Sequence, residues 1–305
     1  MKIKYILSIL FVLLNFKQAF QQNKVNVVTR KVVKEFKFNS LNEKIIIDAE
    51  KATIIIKSWD NLNVKVKLNL KTKNTDVELA RKELNYLKYN ANKRGKEILV
   101  KNNILLSSNI EKLSSKVEVE YEIWIPDNVK MVISNKFGNI LLENVKASIE
   151  SYVEYCDIKL EGVEGTFNGE INIGDFSCSN SDINLKIETR YTEIHLEQIS
   201  GLYIMNTCYG SINVVPSGQI KKLSINSKNT DVLFINKKCL EYNLLLESLY
   251  ATINITEDCY IKDKSIIERN NTGFQFKDKN EFIYNKSDNL PIIEITSKFG
   301  NINLN

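Results

Sequence analysis

The chain has 305 residues, with 42 lysines and arginines against 37 acids, one histidine, five cysteines and 43% apolar residues. Setting aside the first 22 residues removes Lys2, Lys4 and Lys17 and leaves 39 basic against 37 acidic side chains. So even a balance excludes an electrostatic case for nucleic acid, while the length is ample for a sizeable core in one or two domains.

The chain starts with a short positive head, Met1-Lys2-Ile3-Lys4, a largely apolar run from Tyr5 to Phe16 and a polar return at Lys17 to Gln22. This is the pattern of a secretory signal peptide over residues 1–22, since the run is too short to span a bilayer. The expected product is residues 23–305, exported to the periplasm or cell surface, with no transmembrane segment after cleavage.

Residues 23–130 read as a strand-rich region with one helix. Ile45-Ile46-Ile47, Ala52 to Ile56, the alternating Val64 to Leu70 and the alternating Lys116 to Ile125 are strand-like, and Pro126 ends the last. Lysines on one alternating run and glutamates on the other suit pairing across neighbouring strands. Asp76 to about residue 92 reads as a helix, with Thr75 or Asp76 as cap, Leu79, Leu84 and Leu87 as apolar stripe, and Arg94-Gly95 as its end. Such a segment would cover the open end of the coils that follow.

Residues 131–305 carry a repeat. Phe137-Gly138-Asn139-Ile140, Tyr155-Cys156-Asp157-Ile158, Ile173-Gly174-Asp175-Phe176, Tyr191-Thr192-Glu193-Ile194 and Tyr209-Gly210-Ser211-Ile212 follow one another at a step of 18. The half-step holds too: positions 140, 149, 158, 167, 176, 185, 194, 203 and 212 are all apolar. One buried position every nine residues predicts stacked coils, each completed by its neighbours. The expected fold class is all-β in the main: a β-solenoid or β-helix of 18-residue coils, with turns near 143–146, 161–164, 179–182, 197–200 and 215–218. The step lengthens at Asn229-Thr230-Asp231-Val232 and Tyr250-Ala251-Thr252-Ile253, and a polar insertion follows over about 257–289. Lys298-Phe299-Gly300-Asn301-Ile302 then repeats Lys136 to Ile140 letter for letter.

Side chains alternate along a strand, so with 138, 140 and 142 inward the outward columns are Phe137, Tyr155, Ile173, Tyr191, Tyr209 and, beside it, Asn139, Asp157, Asp175, Glu193, Ser211. Stacked about 4.8 Å apart, the carboxylates raise one another's pKa unless a cation relieves them. Phe137, Tyr155, Tyr191, Tyr209, Asp157, Asp175 and Glu193 form the candidate ligand-binding set. Aromatics beside carboxylates suit a sugar chain; the carboxylates alone would suit Ca²⁺; a third reading has the stripe only stabilise the sheet. The glycine-aspartate nonapeptide of calcium β-rolls is absent, and no cofactor is expected. The cysteines are odd in number and none falls in a CxxC pair, against a zinc site, and Cys156 shares the small inward phase of Gly138 and Gly174. His195 stands alone at an outward phase, so the enzyme alternative rests on Asp157, Asp175, Glu193 and Lys159 as a carboxylate-dependent polysaccharide lyase or hydrolase.

Tyr121-Glu122-Ile123-Trp124-Ile125-Pro126, then Ser134-Asn135-Lys136-Phe137-Gly138-Asn139-Ile140 and its further copies, resembles the adhesin family of bacterial β-strand-repeat, head-domain adhesin-like exported proteins. The resemblance covers nearly the whole mature chain, implies an envelope location and brings no catalytic residues. The expectation is a non-enzymatic cell-envelope or surface protein that presents a solenoid face to a glycan or an envelope protein. The alternatives are a structural or regulatory envelope protein without a glycan ligand, and the polysaccharide enzyme.

Overall fold

The structure, a computed structural model, describes residues 25–39, 42–235, 241–255, 266–271, 279–284 and 287–305. The expected signal peptide, Cys239, Cys259 and much of the 257–289 insertion lie outside the described residues. What is described is mainly β, an open hydrogen-bonded strand network with one helix. The first part holds β1 (Asn26–Lys37), β2 (Lys44–Glu50), β3 (Ala52–Ser58), β4 (Asn63–Asn74), α1 (Val77–Leu84), β5 (Leu87–Arg94), β6 (Glu97–Ile104) and β7 (Lys116–Ile125). The repeats are β8 (Val129–Glu143), β9 (Lys146–Glu161), β10 (Glu164–Ser179) and one long run, β11 (Asp182–Phe234). The rest is β12 (Asn243–Leu249), β13 (Ile253–Ile255), β14 (Ile266–Asn271), β15 (Lys279–Tyr284), β16 (Ile292–Lys298) and β17 (Ile302–Leu304).

The step of 18 is a hydrogen-bond register. β8, β9, β10 and the start of β11 pair in parallel, placing Ile140 opposite Ile158, Ile158 opposite Phe176 and Phe176 opposite Ile194. All nine half-step positions, from Ile140 through Phe167, Phe176 and Tyr203 to Ile212, are buried. Each repeat strand bends near its middle and supplies its first half to one row of strands and its second half to another. β8, for example, pairs with β2 through residues 130–136 and with β3 through 139–143. Phe167 on the first row and Phe176 on the second are both buried, with their rings 5.7 Å apart. A second bend recurs at Asn144, Gly162, Asn180 and Gln198, all with positive φ and 18 apart, at the expected turns. Asparagine and glycine accept that conformation at low cost.

Parallel pairing crosses the expected boundary at residue 130. β2 and β3 stack on β8, and β6 and β7 pair with their far sides. Antiparallel strands close this end, β5 on β6, β4 on β7 and β1 on β4. The lysine and glutamate faces meet across β4 and β7 as expected, with Lys71–Glu120 and Lys73–Glu118 at 2.6 Å and Lys67–Glu122 at 3.7 Å.

The helix is shorter than its pattern predicts. Asp76 caps α1 by accepting from the N–H groups of Glu78 and Leu79, but α1 ends at Leu84, and residues 87–94 are strand β5 instead of its last turns. Leu87 is buried in the core, and Gly95, at φ +57°, turns the chain so that Arg94 pairs with Glu97. Leucines three to five apart suit either element until sheet pairing chooses. Buried Glu83 accepts from the N–H groups of Ser114 at 2.9 Å and Ser115 at 2.6 Å, tying the loop before β7 to α1. Burial raises its carboxyl pKa, and these bonds more than offset that, leaving it below the ordinary range.

The far end departs from sequence order. Residues 292–304 (β16 and β17) lie between residues 222–234 of β11 and residues 243–255 (β12 and β13), paired in parallel on both sides. β15 and β14 add antiparallel strands outside β12.

Candidate functional site

The predicted aromatic column collects at the mid-strand bend. Phe137, Tyr155, Ile173, Tyr191 and Tyr209 all have φ between 54° and 62°, and Tyr250 and Phe299 join them at 61° and 62°. A left-handed conformation costs an L-residue about 1–2 kcal/mol and is an outlier for bulky side chains. Two features hold it. The following position is small because backbones approach closely there: a Cβ added to Gly138, Gly174, Gly210 or Gly300 would land on the carbonyl of Ala52, Cys156, Thr192 or Thr230. Where that position is not glycine, its side chain ties the bend, with Thr192 and Thr230 donating to the carbonyls of Arg190 at 3.1 Å and Lys228 at 3.0 Å, and Cys156 to that of Glu154 at 3.4 Å. The rings also stack in pairs: Phe137–Tyr155 at 5.0 Å, Tyr191–Tyr209 at 4.9 Å and Tyr250–Phe299 at 5.1 Å, each within 14° of parallel. Each such pair returns about 0.5–1.5 kcal/mol. Stacking covers the facing sides of the paired rings, so each pair leaves at most one face of each ring for a ligand.

The acidic column does structural work. Asp157 Oδ1 accepts from the Asp175 N–H at 3.0 Å, Asp231 Oδ1 from the Asn301 N–H at 2.7 Å, and Asn301 Oδ1 from the Thr252 N–H at 3.1 Å. Glu193 lies 4.0 Å from His195. Among the described residues no three His, Cys, Asp or Glu side chains gather as metal ligands. Burial, then the charges of Asp157 and Glu193, raise the Asp175 pKa. A raised folded pKa means a stability contribution that is whole below the unfolded pKa and lost as pH climbs through the folded one. Asp175→Asn is therefore expected to stabilise the chain at pH 7 by about 0.5 kcal/mol, the scale of an exposed charge contact, and to match wild type at pH 3. Urea midpoints at the two pH values check this, and equal midpoints at pH 7 would refute it.

Immediately before the aromatic column runs a groove that the repeat pattern did not reveal. Three depressions of about 420, 260 and 510 Å³ line the outer face of the first row of strands, and all three share Glu170. Along its middle, Tyr152, Glu170 and Glu188 are register neighbours on β9, β10 and β11, and Glu154, Asn172 and Arg190 form the next column. Lys228 and Lys298 line the far end. Lys136 and Glu154 pair at 2.8 Å, whereas the side chains of Glu170, Glu188, Asn172, Arg190, Asn206 and Asn226 make no hydrogen bond or ion pair among the described residues. Tyr152 is 46% exposed and stacks on no other ring among the described residues. The alternation of β9 marks Tyr152 as outward, yet only the concavity of the row distinguishes it from any other exposed tyrosine.

Among the described residues no helix is long and apolar enough to cross a membrane. No protein-family profile matches the chain, and no curated protein matches it. Solved structures similar to it include three provisionally named proteins. A cell adhesion protein from Clostridium sporogenes is 13% identical, with 91% of this chain and 99% of that one covered and a TM-score of 0.28. A lipid binding protein from Parabacteroides distasonis is 11% identical, with 92% and 97% covered and a TM-score of 0.47. An adhesin from Bacteroides fragilis is 9% identical, with 90% and 97% covered and a TM-score of 0.38.

Proposed function

We propose that the chain is an exported, non-enzymatic binding protein, built as a two-faced β-solenoid, whose groove takes an extended glycan. The observation that carries the reading is Tyr152. A half-exposed aromatic ring that stacks on no other ring stands beside Glu170, with Glu188 and Arg190 on the next strand, and the side chains of these three make no hydrogen bond or ion pair among the described residues. A sugar ring stacks on such a face while its hydroxyls bond to carboxylate, amide and guanidinium groups on neighbouring strands. The aromatic column forms the rim, and the two-row parallel register supports the solenoid.

The test is binding of residues 23–305 to a broad panel of bacterial and host glycans, with and without Ca²⁺. Tyr152→Ala is expected to weaken the best ligand by about 30-fold, the effect of truncating an aromatic hot spot at about 2 kcal/mol, with unfolding unchanged. Loss of binding in a Tyr155, Tyr191 and Tyr209 to Ser variant, with Tyr152→Ala unaffected, would move the site to the rim. No binding across the panel would reject the glycan in favour of a protein partner, and release of reducing ends would reject the non-enzymatic reading.

A further inference from the structure

The coil 292–304 lies between two coils that precede it in sequence, and its two flanks share one register. Lys222 and Asn243 both sit opposite Ile292, and Val232 and Ile253 both sit opposite Ile302. The flanking coils also share the left-handed bend, at Asn229 with φ 50° and Tyr250 with φ 61°. The two flanks thus present one matched register to the coil between them.

The intervening coil is held without a covalent link to either flank. Its Asn301 N–H donates to Asp231 on one side and its Asn301 Oδ1 accepts from Thr252 on the other, while Ile293, Ile295 and Ile302 fill the core. What the slot recognises is a pattern: small at 300, where a Cβ would meet the Thr230 carbonyl, and apolar at alternate positions. β15 ends at Tyr284, paired on the outer side of β12, and β16 begins at Ile292, paired on its inner side, eight positions later in the sequence. Exchange of an identical element between copies is a low-cost route to a dimer, and a short lead-in to a terminal element suits it.

We propose that the slot accepts the 292–304 coil of a second copy of this chain, so that two molecules trade residues 287–305 and form a strand-swapped dimer. The proposal is independent of the glycan reading and would survive its failure.

Asn254 and Asn303 are register partners on β13 and β17, joined by a 2.8 Å side-chain hydrogen bond at the surface. Two otherwise full-length variants, Asn254→Cys and Asn303→Cys, are co-refolded, oxidised and mapped by mass spectrometry. A covalent dimer linked between 254 and 303 is expected, its yield rising about tenfold for a tenfold rise in protein concentration while the dimer is the minor species, as mass action requires. The double variant in one chain serves as reference and is expected to form the same link within the monomer. An intrachain link in the double variant with no such dimer from the mixture would overturn the exchange. Absence of the link in both would overturn the placement of the coil on which it rests. Gly300→Val, which blocks the slot, is expected to abolish the intermolecular link.

Discussion

Gly210→Ala is expected to destabilise the chain by about 3 kcal/mol, the upper end of the range for inserting a methyl into a packed site. The added Cβ would meet the Thr192 carbonyl, which is backbone and cannot swing aside, so coils 182–199 and 200–217 must part locally. Ser211→Ala, one position on and outward, removes no hydrogen bond of the described chain and is expected to stay within about 0.5 kcal/mol of wild type. Urea unfolding of both variants, with amide hydrogen exchange to locate the weakened register, checks the contrast. In stacked repeats each unit leans on its neighbours, so protection should fall first in the coils flanking position 210. Equal midpoints for the two variants would mean that the coils are not held this close.

Phe176→Ala is expected to cost about 3–5 kcal/mol, the range for truncating a buried phenylalanine. The ring is fully buried, packs at 5.7 Å from Phe167 on the other row and lies between Ile158 and Ile194 in register. These neighbours belong to three coils and both rows, and hydrogen-bonded strands cannot collapse into the space left behind. Phe176→Leu, which keeps most of the volume, should lose less than half as much. A loss below about 1 kcal/mol for the alanine variant, outside the range for such cavities, would argue that the two rows do not face each other across a packed core.

Both effects were legible in the repeat. The half-step of nine names Phe176 as inward, and the alternation at 138, 156, 174, 192 and 210 marks the position where only small side chains fit, including buried Cys156. The candidate columns were legible as columns: one bend brings Phe137, Tyr155, Tyr191 and Tyr209 together, with Asp157, Asp175 and Glu193 beside them. Their work was not legible. Ring pairing and carboxylate-to-amide bonds depend on which atoms meet between coils, and periodicity says only that they are near. Tyr152 and Glu170 look like any outward residues until the row curves into a groove around them.

By itself the sequence determined the register of 18, the inward and outward phases, a helix start at Thr75 or Asp76 and the pairing of lysine with glutamate strands. Each of these is set by spacing along the chain, which backbone geometry converts directly into position. Only the tertiary structure decided where α1 stops, which strands close the ends, and that 292–304 enters between 222–234 and 243–255. Leu87 carries an apolar signal that suits helix and strand alike, so burial against the sheet had to choose. Every coil carries the same phase, so phase alone does not choose its neighbours. The order in which they stack is set by how the connections let the chain return upon itself, and not by the pattern within each coil.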